Sequence, residues 1–146
     1  MSPSDFSIVN GHPYTVSVAS EGGEITIPFW NPKVSDRQFM RALHESITKS
    51  GVFSAIIQGE DADYRLVVEI LNLYQAEGIT TAIVTNWRLT KVSTNDLIFD
   101  DVIISSHTTS FWDGVLYFIR LRRATEGAAR ENIRRGINRL SKLKLE

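Results

Sequence analysis

The chain has 146 residues, 42% of them hydrophobic and 23% charged, with a net charge of −1 and no cysteine. A chain of this length fits one domain, and one core holds it without staples, since about 68–70% of the unfolded surface is buried at this size. Disulfides and thiolate metal sites are excluded, and so is a membrane-spanning helix, because no apolar run approaches about 18 residues.

Residues 1–11 are polar and carry Pro3 and Gly11, which predicts a flexible tail. Met1 to Asp5 has no basic region followed by an apolar one, and reads as a native start or as the edge of a mature domain. Tyr14 to Ala19 alternates as a strand does, with Tyr14, Val16 and Val18 on one side. Gly22-Gly23 turns the chain, and Ile25 to Trp30 reads as an edge segment stopped by Pro28 and Pro32.

The first helix has a marked start. Ser35 and Gln38 form a capping box, and Val34 with Phe39 forms a hydrophobic staple. Phe39, Leu43 and Ile47 make its core-facing stripe, and Gly51 ends it in the left-handed conformation. Val52 to Ile57 is apolar enough for a short strand.

Three longer strands follow. Tyr64 to Tyr74 holds Leu66, Val67, Val68, Ile70 and Leu71, a run suited to a central strand covered at least in part on both faces. Glu77-Gly78 is a turn. Ile79 to Thr90 alternates, with Ile83, Thr85, Trp87 and Leu89 together and Trp87 in the core. Ser93 to Asp96 turns again, and Leu97 to His107 returns, with a parity slip that predicts a bulge at Asp100-Asp101. Short turns make these three an antiparallel meander.

The last helix is predicted from about Gly114 or Arg122 to Leu143, with Ala129, Ile133, Ile137 and Leu140 as its apolar stripe. Glu126–Arg130 and Glu131–Arg135 are acid-before-base pairs at spacing four. Gly114, Ala124, Gly127, Ala128 and Ala129 are small enough to let this helix approach its neighbours closely. Leu145-Glu146 reads as a vector-derived tail outside the fold.

The expected architecture is α+β: one domain, a two-layer sandwich of a four- to five-stranded, mostly antiparallel sheet with two helices on one face, in the order β-α-β-β-β-α.

No catalytic signature stands out. His12, His44 and His107 lie far apart without partners at ligand spacing, and no phosphate loop or nucleophile elbow occurs. Asp61 and Asp63 read as turn chemistry, and Asp100 and Asp101, as neighbours on a strand, point to opposite faces. No enzyme activity, cofactor or metal is therefore expected. The alternative is a small-molecule binder or enzyme with a site at the end of the sheet, using one of these acidic pairs.

Charge is unevenly distributed. Residues 1–119 carry seven basic and fourteen acidic side chains, whereas 120–146 carry nine and three. The basic last helix reads as a solvated face or as a patch for anionic lipid or lipopolysaccharide. Arg123, Arg130 and Arg134 share one face of it at 100° per residue. The acidic body opposes nucleic acid, so no nucleic-acid partner is expected. Phe29, Trp30, Phe111 and Trp112 sit in links, where large aromatics either pack under the loops or form a contact surface for a partner protein or lipid. With the three arginines they form the candidate surface.

The helix motif Phe39, Ala42, Leu43, Ser46, Ile47, the following Ser50, Gly51, Phe53, and then Ala62, Asp63, Tyr64, Leu66 resemble a pattern in Gram-negative envelope lipoproteins. Glu126 to Ile133, followed by Leu140-Ser141, is similar to their terminal helix. The resemblance spans about residues 12–142, and extends more distantly to auxiliary lipoproteins of ABC-type transport systems and to the lipopolysaccharide-assembly lipoprotein. Most of the shared residues are packing residues.

The resemblance implies a non-catalytic periplasmic domain that binds a partner protein or a lipid of the envelope. Such a domain is tethered to the outer membrane only through a lipidated N-terminal cysteine just ahead of residue 2. It supplies no catalytic residue.

Overall fold

The computed structural model describes residues 11–21, 36–76, 80–109 and 117–146. The order is β1 (His12–Glu21), α1 (Asp36–Ser50), β2 (Phe53–Ile56), a short 3-10 turn (Gly59–Asp61), β3 (Tyr64–Ala76), β4 (Thr80–Lys91), β5 (Asp96–Thr108) and α2 (Tyr117–Ser141). The five strands form one sheet in the order β2-β1-β3-β4-β5. β3, β4 and β5 are the expected antiparallel meander, and β1 pairs parallel to both β2 and β3. Both helices lie on one side, which makes the predicted two-layer α+β sandwich. Among the described residues no helix is long and apolar enough to cross a membrane.

Strand alternation explains the layering. Along β4, Thr81, Ile83, Thr85, Trp87 and Leu89 are buried, and the residues between them are only half-buried. Leu66, Val68 and Ile70 of β3 and Ile103 of β5 complete the same face. Phe39, Leu43 and Ile47 of α1 and Ala128, Ile133, Ile137 and Leu140 of α2 close over it. Ala128 is fully buried, whereas Ala129, placed in the stripe by sequence, is only partly covered. Gly51 ends α1 with a φ of +67°, and Asn95 holds the β4–β5 turn with a φ of +59°, a conformation asparagine tolerates.

Two sequence expectations need correction. The bulge in β5 is not at Asp100-Asp101. Leu89 pairs with Phe99 and Thr90 with Leu97, so Ile98 is the extra residue. A second bulge sits in β3 at Leu71, between Ile70 opposite Thr85 and Asn72 opposite Val84. It resets the parity, so that Leu73 returns to the core. Second, β3 is central in the sheet but covered on one face. Its double run of apolar residues arises because the bulge moves the core positions from even to odd numbers and leaves Leu71 exposed.

The long helix is locked by a buried polar cluster. The Trp87 indole N–H donates to Thr85 Oγ1 (2.9 Å) and Asn132 Oδ1 (3.2 Å), and Thr85 Oγ1 donates to the same Asn132 oxygen (2.7 Å). Asn132 Nδ2 in turn donates to the Ile103 carbonyl (3.1 Å). Gly136 lies over the indole, so close that a Cβ there would fall 2.3 Å from the ring. At the far end of α2, the His12 imidazole meets the Leu140 carbonyl (2.7 Å), satisfying one of the orphan acceptors of a helix C-terminus. Leu145 packs against the core and the Tyr64 hydroxyl donates to the Glu146 carbonyl (2.6 Å), so both closing residues lie against the fold. Burial raises the Tyr64 hydroxyl pKa above its usual value, and a charged Tyr14 ring would add to the shift.

Candidate functional site

Three surfaces bear on function: the uncovered side of the sheet, the arginine-bearing face of α2, and the end of the sheet near Tyr14 and Tyr64.

On the uncovered side, register places Tyr74, Ala82 and Ser106 in one row, Asn72, Val84 and Ile104 in the next, and Glu69, Asn86 and Val102 in a third. Ile104 is 60% exposed, Tyr74 55%, Val102 48% and Leu71 44%. These residues and the half-buried Val84 form a continuous apolar patch across three strands. The next row holds Arg88, opposite Asp100, and Arg88 also pairs with Glu69 at 3.6 Å. An apolar centre with a charged border is the composition of an interaction surface. The surface expected from sequence did not include Val102 and Ile104. The signal was their parity against Ile103, hidden by the misplaced bulge.

The patch reaches β5, a 13-residue edge strand, and such an edge invites unwanted pairing. Arginines of α2 guard it. Arg135 Nη1 donates to the Ile104 carbonyl (2.8 Å), and Arg139 pairs with the Asp101 carboxylate. The opposite edge strand, β2, has only four residues.

Along α2 the arginines divide into two groups. Glu131 binds Arg134 through both carboxylate oxygens (2.9 and 2.6 Å) and Arg135 through one (2.9 Å). The Arg134 hydrogen bond, opposed by partial burial and aided by Arg135, lowers the Glu131 pKa from 4.5 to about 2. Glu131–Arg135 is the pair expected from spacing, whereas Glu126 and Arg130 form no ion pair with each other. Arg123 and Arg130 are exposed and line a concavity of about 220 Å³ with His107, Thr109, Glu126 and Gly127. Of the predicted arginine trio, the structure therefore keeps Arg123 and Arg130 together and ties Arg134 into an ion-pair cluster. Phe29, Trp30, Phe111 and Trp112, the aromatic half of the predicted surface, lie outside the described residues.

At the other end of the sheet, Tyr14, Glu60, Asp63, Tyr64 and Lys91 line an open concavity of about 360 Å³. Asp63 is bound into the fold there: its carboxylate accepts from the Thr15 N–H (2.9 Å) and hydroxyl (3.1 Å). Asp61 is exposed on the preceding turn. Asp100 and Asp101 point to opposite faces, as their adjacency requires. Among the described residues no group of three or more acidic, histidine or cysteine side chains is placed to hold a metal ion.

No family model matches the chain, and the search of curated proteins finds no match. Solved structures do match its fold. A hypothetical protein from Chlamydia trachomatis superposes with a TM-score of 0.63 at 10% identity, over 89% of this chain and 96% of that one. A DUF330 protein from Xanthomonas campestris gives 0.62 at 13% identity, over 88% and 86%. A minor lipoprotein from Acinetobacter baumannii gives 0.51 at 8% identity, over 87% and 91%. These likenesses show that the fold is one also used by a Gram-negative lipoprotein.

Proposed function

We propose that this chain is the globular domain of a Gram-negative envelope lipoprotein, acting without catalysis as a docking module for a partner protein. The fold likeness to the Acinetobacter lipoprotein and the motif resemblance in α1, β3 and α2 support the envelope setting. The observation that carries the docking role is the exposed patch of Leu71, Tyr74, Val102 and Ile104 on the open side of the sheet. In this reading the helices serve as a rigid backing for that surface, and the domain faces the periplasm on a lipid anchor at the outer membrane. An auxiliary role in envelope transport fits a module of this kind.

The test compares wild type with Ile104→Arg in detergent extracts of Gram-negative envelopes. The wild type retains a stoichiometric partner, and Ile104→Arg loses it with no change in melting temperature. Substitution of Lys49, on α1, with Glu leaves it bound. Equal retention by Ile104→Arg would refute the docking surface. A parent gene that opens at Met1, with no lipobox cysteine ahead of residue 2, would refute the anchored setting alone.

A further inference from the structure

We propose that the concavity between the end of β5 and the first half of α2 is an anion site for a phosphate group, held by Arg123, Arg130 and His107. This inference stands on the geometry of α2 and β5, whether or not the domain is a lipoprotein.

Three positions of α2, 123, 127 and 130, fall on one helical face because they are separated by four and three residues. The outer two are arginines and the middle one is glycine. His107 is the last helix-facing residue of β5, in register with Thr81, and its imidazole lies directly on Gly127. A Cβ at that position would come within 2.4 Å of the ring. The missing side chain thus lets an imidazole from the sheet line the same concavity as Arg123 and Arg130 of the helix. Three nitrogen-bearing groups from two elements then surround one concavity.

The rest of α2 shows why these two arginines differ. Arg134 and Arg135 are held by Glu131, and Arg139 by Asp101. Among the described residues, Arg123 and Arg130 have no such partner. Glu126 stands at the rim and makes a contact of its own, so the two guanidinium charges outnumber the single carboxylate. Two guanidinium forks and an imidazole lining one concavity suit a tetrahedral oxyanion better than a planar carboxylate, because such a group offers oxygens to every donor at once. The same phosphate chemistry is carried by a lipid headgroup and by a soluble phosphate ester.

The experiment is calorimetric titration of the whole chain with inorganic phosphate at constant ionic strength, followed by co-sedimentation with phosphatidylcholine vesicles with and without phosphatidic acid. Wild type should bind phosphate saturably. Arg123→Gln and Arg130→Gln should each weaken binding at least tenfold, as expected for loss of a charge-assisted contact, and Arg134→Gln should leave it unchanged. His107→Ala, and Gly127→Ala with its displaced imidazole, should weaken binding while both arginines remain. Binding to phosphatidic acid vesicles that needs Arg123 and Arg130 assigns the site to a lipid headgroup. Phosphate binding without vesicle binding assigns it to a soluble ester. No saturable binding of phosphate, or equal losses on Arg134→Gln and Arg123→Gln, would overturn the proposal, the second because it would mark a diffuse positive charge in place of a built site.

Discussion

The two faces of the sheet carry similar apolar residues and treat them in opposite ways. On the helix side, Leu66, Val68, Ile83, Trp87 and Ile103 are removed from water and even the polar groups are paired, as the Thr85, Trp87 and Asn132 cluster shows. On the other side, Leu71, Val102 and Ile104 face solvent. A fully buried aliphatic side chain stabilises a fold by about 1.5–3 kcal/mol, and the open face, where these residues are half-exposed, forgoes a large part of that gain. Stability is thus concentrated on one side, which leaves the other free to serve an interaction.

The contrast can be broken most forcefully from the helix side. Trp87→Ala removes the largest side chain of the core and its bonds to Thr85 and Asn132, and should cost about 3–5 kcal/mol in chemical denaturation. Gly136→Ala follows. Its new methyl meets a fully buried indole held by two hydrogen bonds, so a loss of about 1–3 kcal/mol is expected, whereas an ordinary Gly-to-Ala change within a helix is stabilising. A melting temperature raised by Gly136→Ala would contradict the close approach of α2 to Trp87.

Smaller effects lie on the exposed ion pairs. The folded-state pKa of Glu131 is depressed to about 2 from 4.5, so its contribution to stability is present above the unfolded value. It is lost as pH falls from about 4.5 through about 2. Because Glu131, Arg134 and Arg135 remain partly solvated, the contribution is below about 1 kcal/mol. Glu131→Gln should therefore lower stability slightly at neutral pH and flatten the acid limb of the stability curve. An unchanged acid limb would show that the cluster contributes nothing. Smallest of all, Ile104→Ser should change stability by no more than about 0.5 kcal/mol, the range for surface sites.

Much of the architecture was legible because period-two and period-3.6 patterns are local. The strict alternation of β4 and the Phe39, Leu43, Ile47 spacing of α1 decide their own buried faces. The bulges were harder to place. The apolar parity slips around Asp100-Asp101, but Asp101 faces α2 to meet Arg139, and the extra residue is Ile98. Asn132 could not be assigned to the core from spacing alone, since its partners Thr85, Trp87 and Ile103 lie at least 29 residues away. The arginine face of α2 was visible as a charge pattern. Which arginines keep free charge depends on Glu131 and Asp101, and the place of His107 depends on tertiary contact with Gly127.

The most direct test of the docking surface is site-specific photo-crosslinking in intact Gram-negative cells, with a photoreactive residue at Ile104 on the open face or at Lys49 on the helix layer. A single discrete adduct from position 104 and none from position 49 is the predicted result. No adduct from position 104, or the same products from both positions, would contradict it.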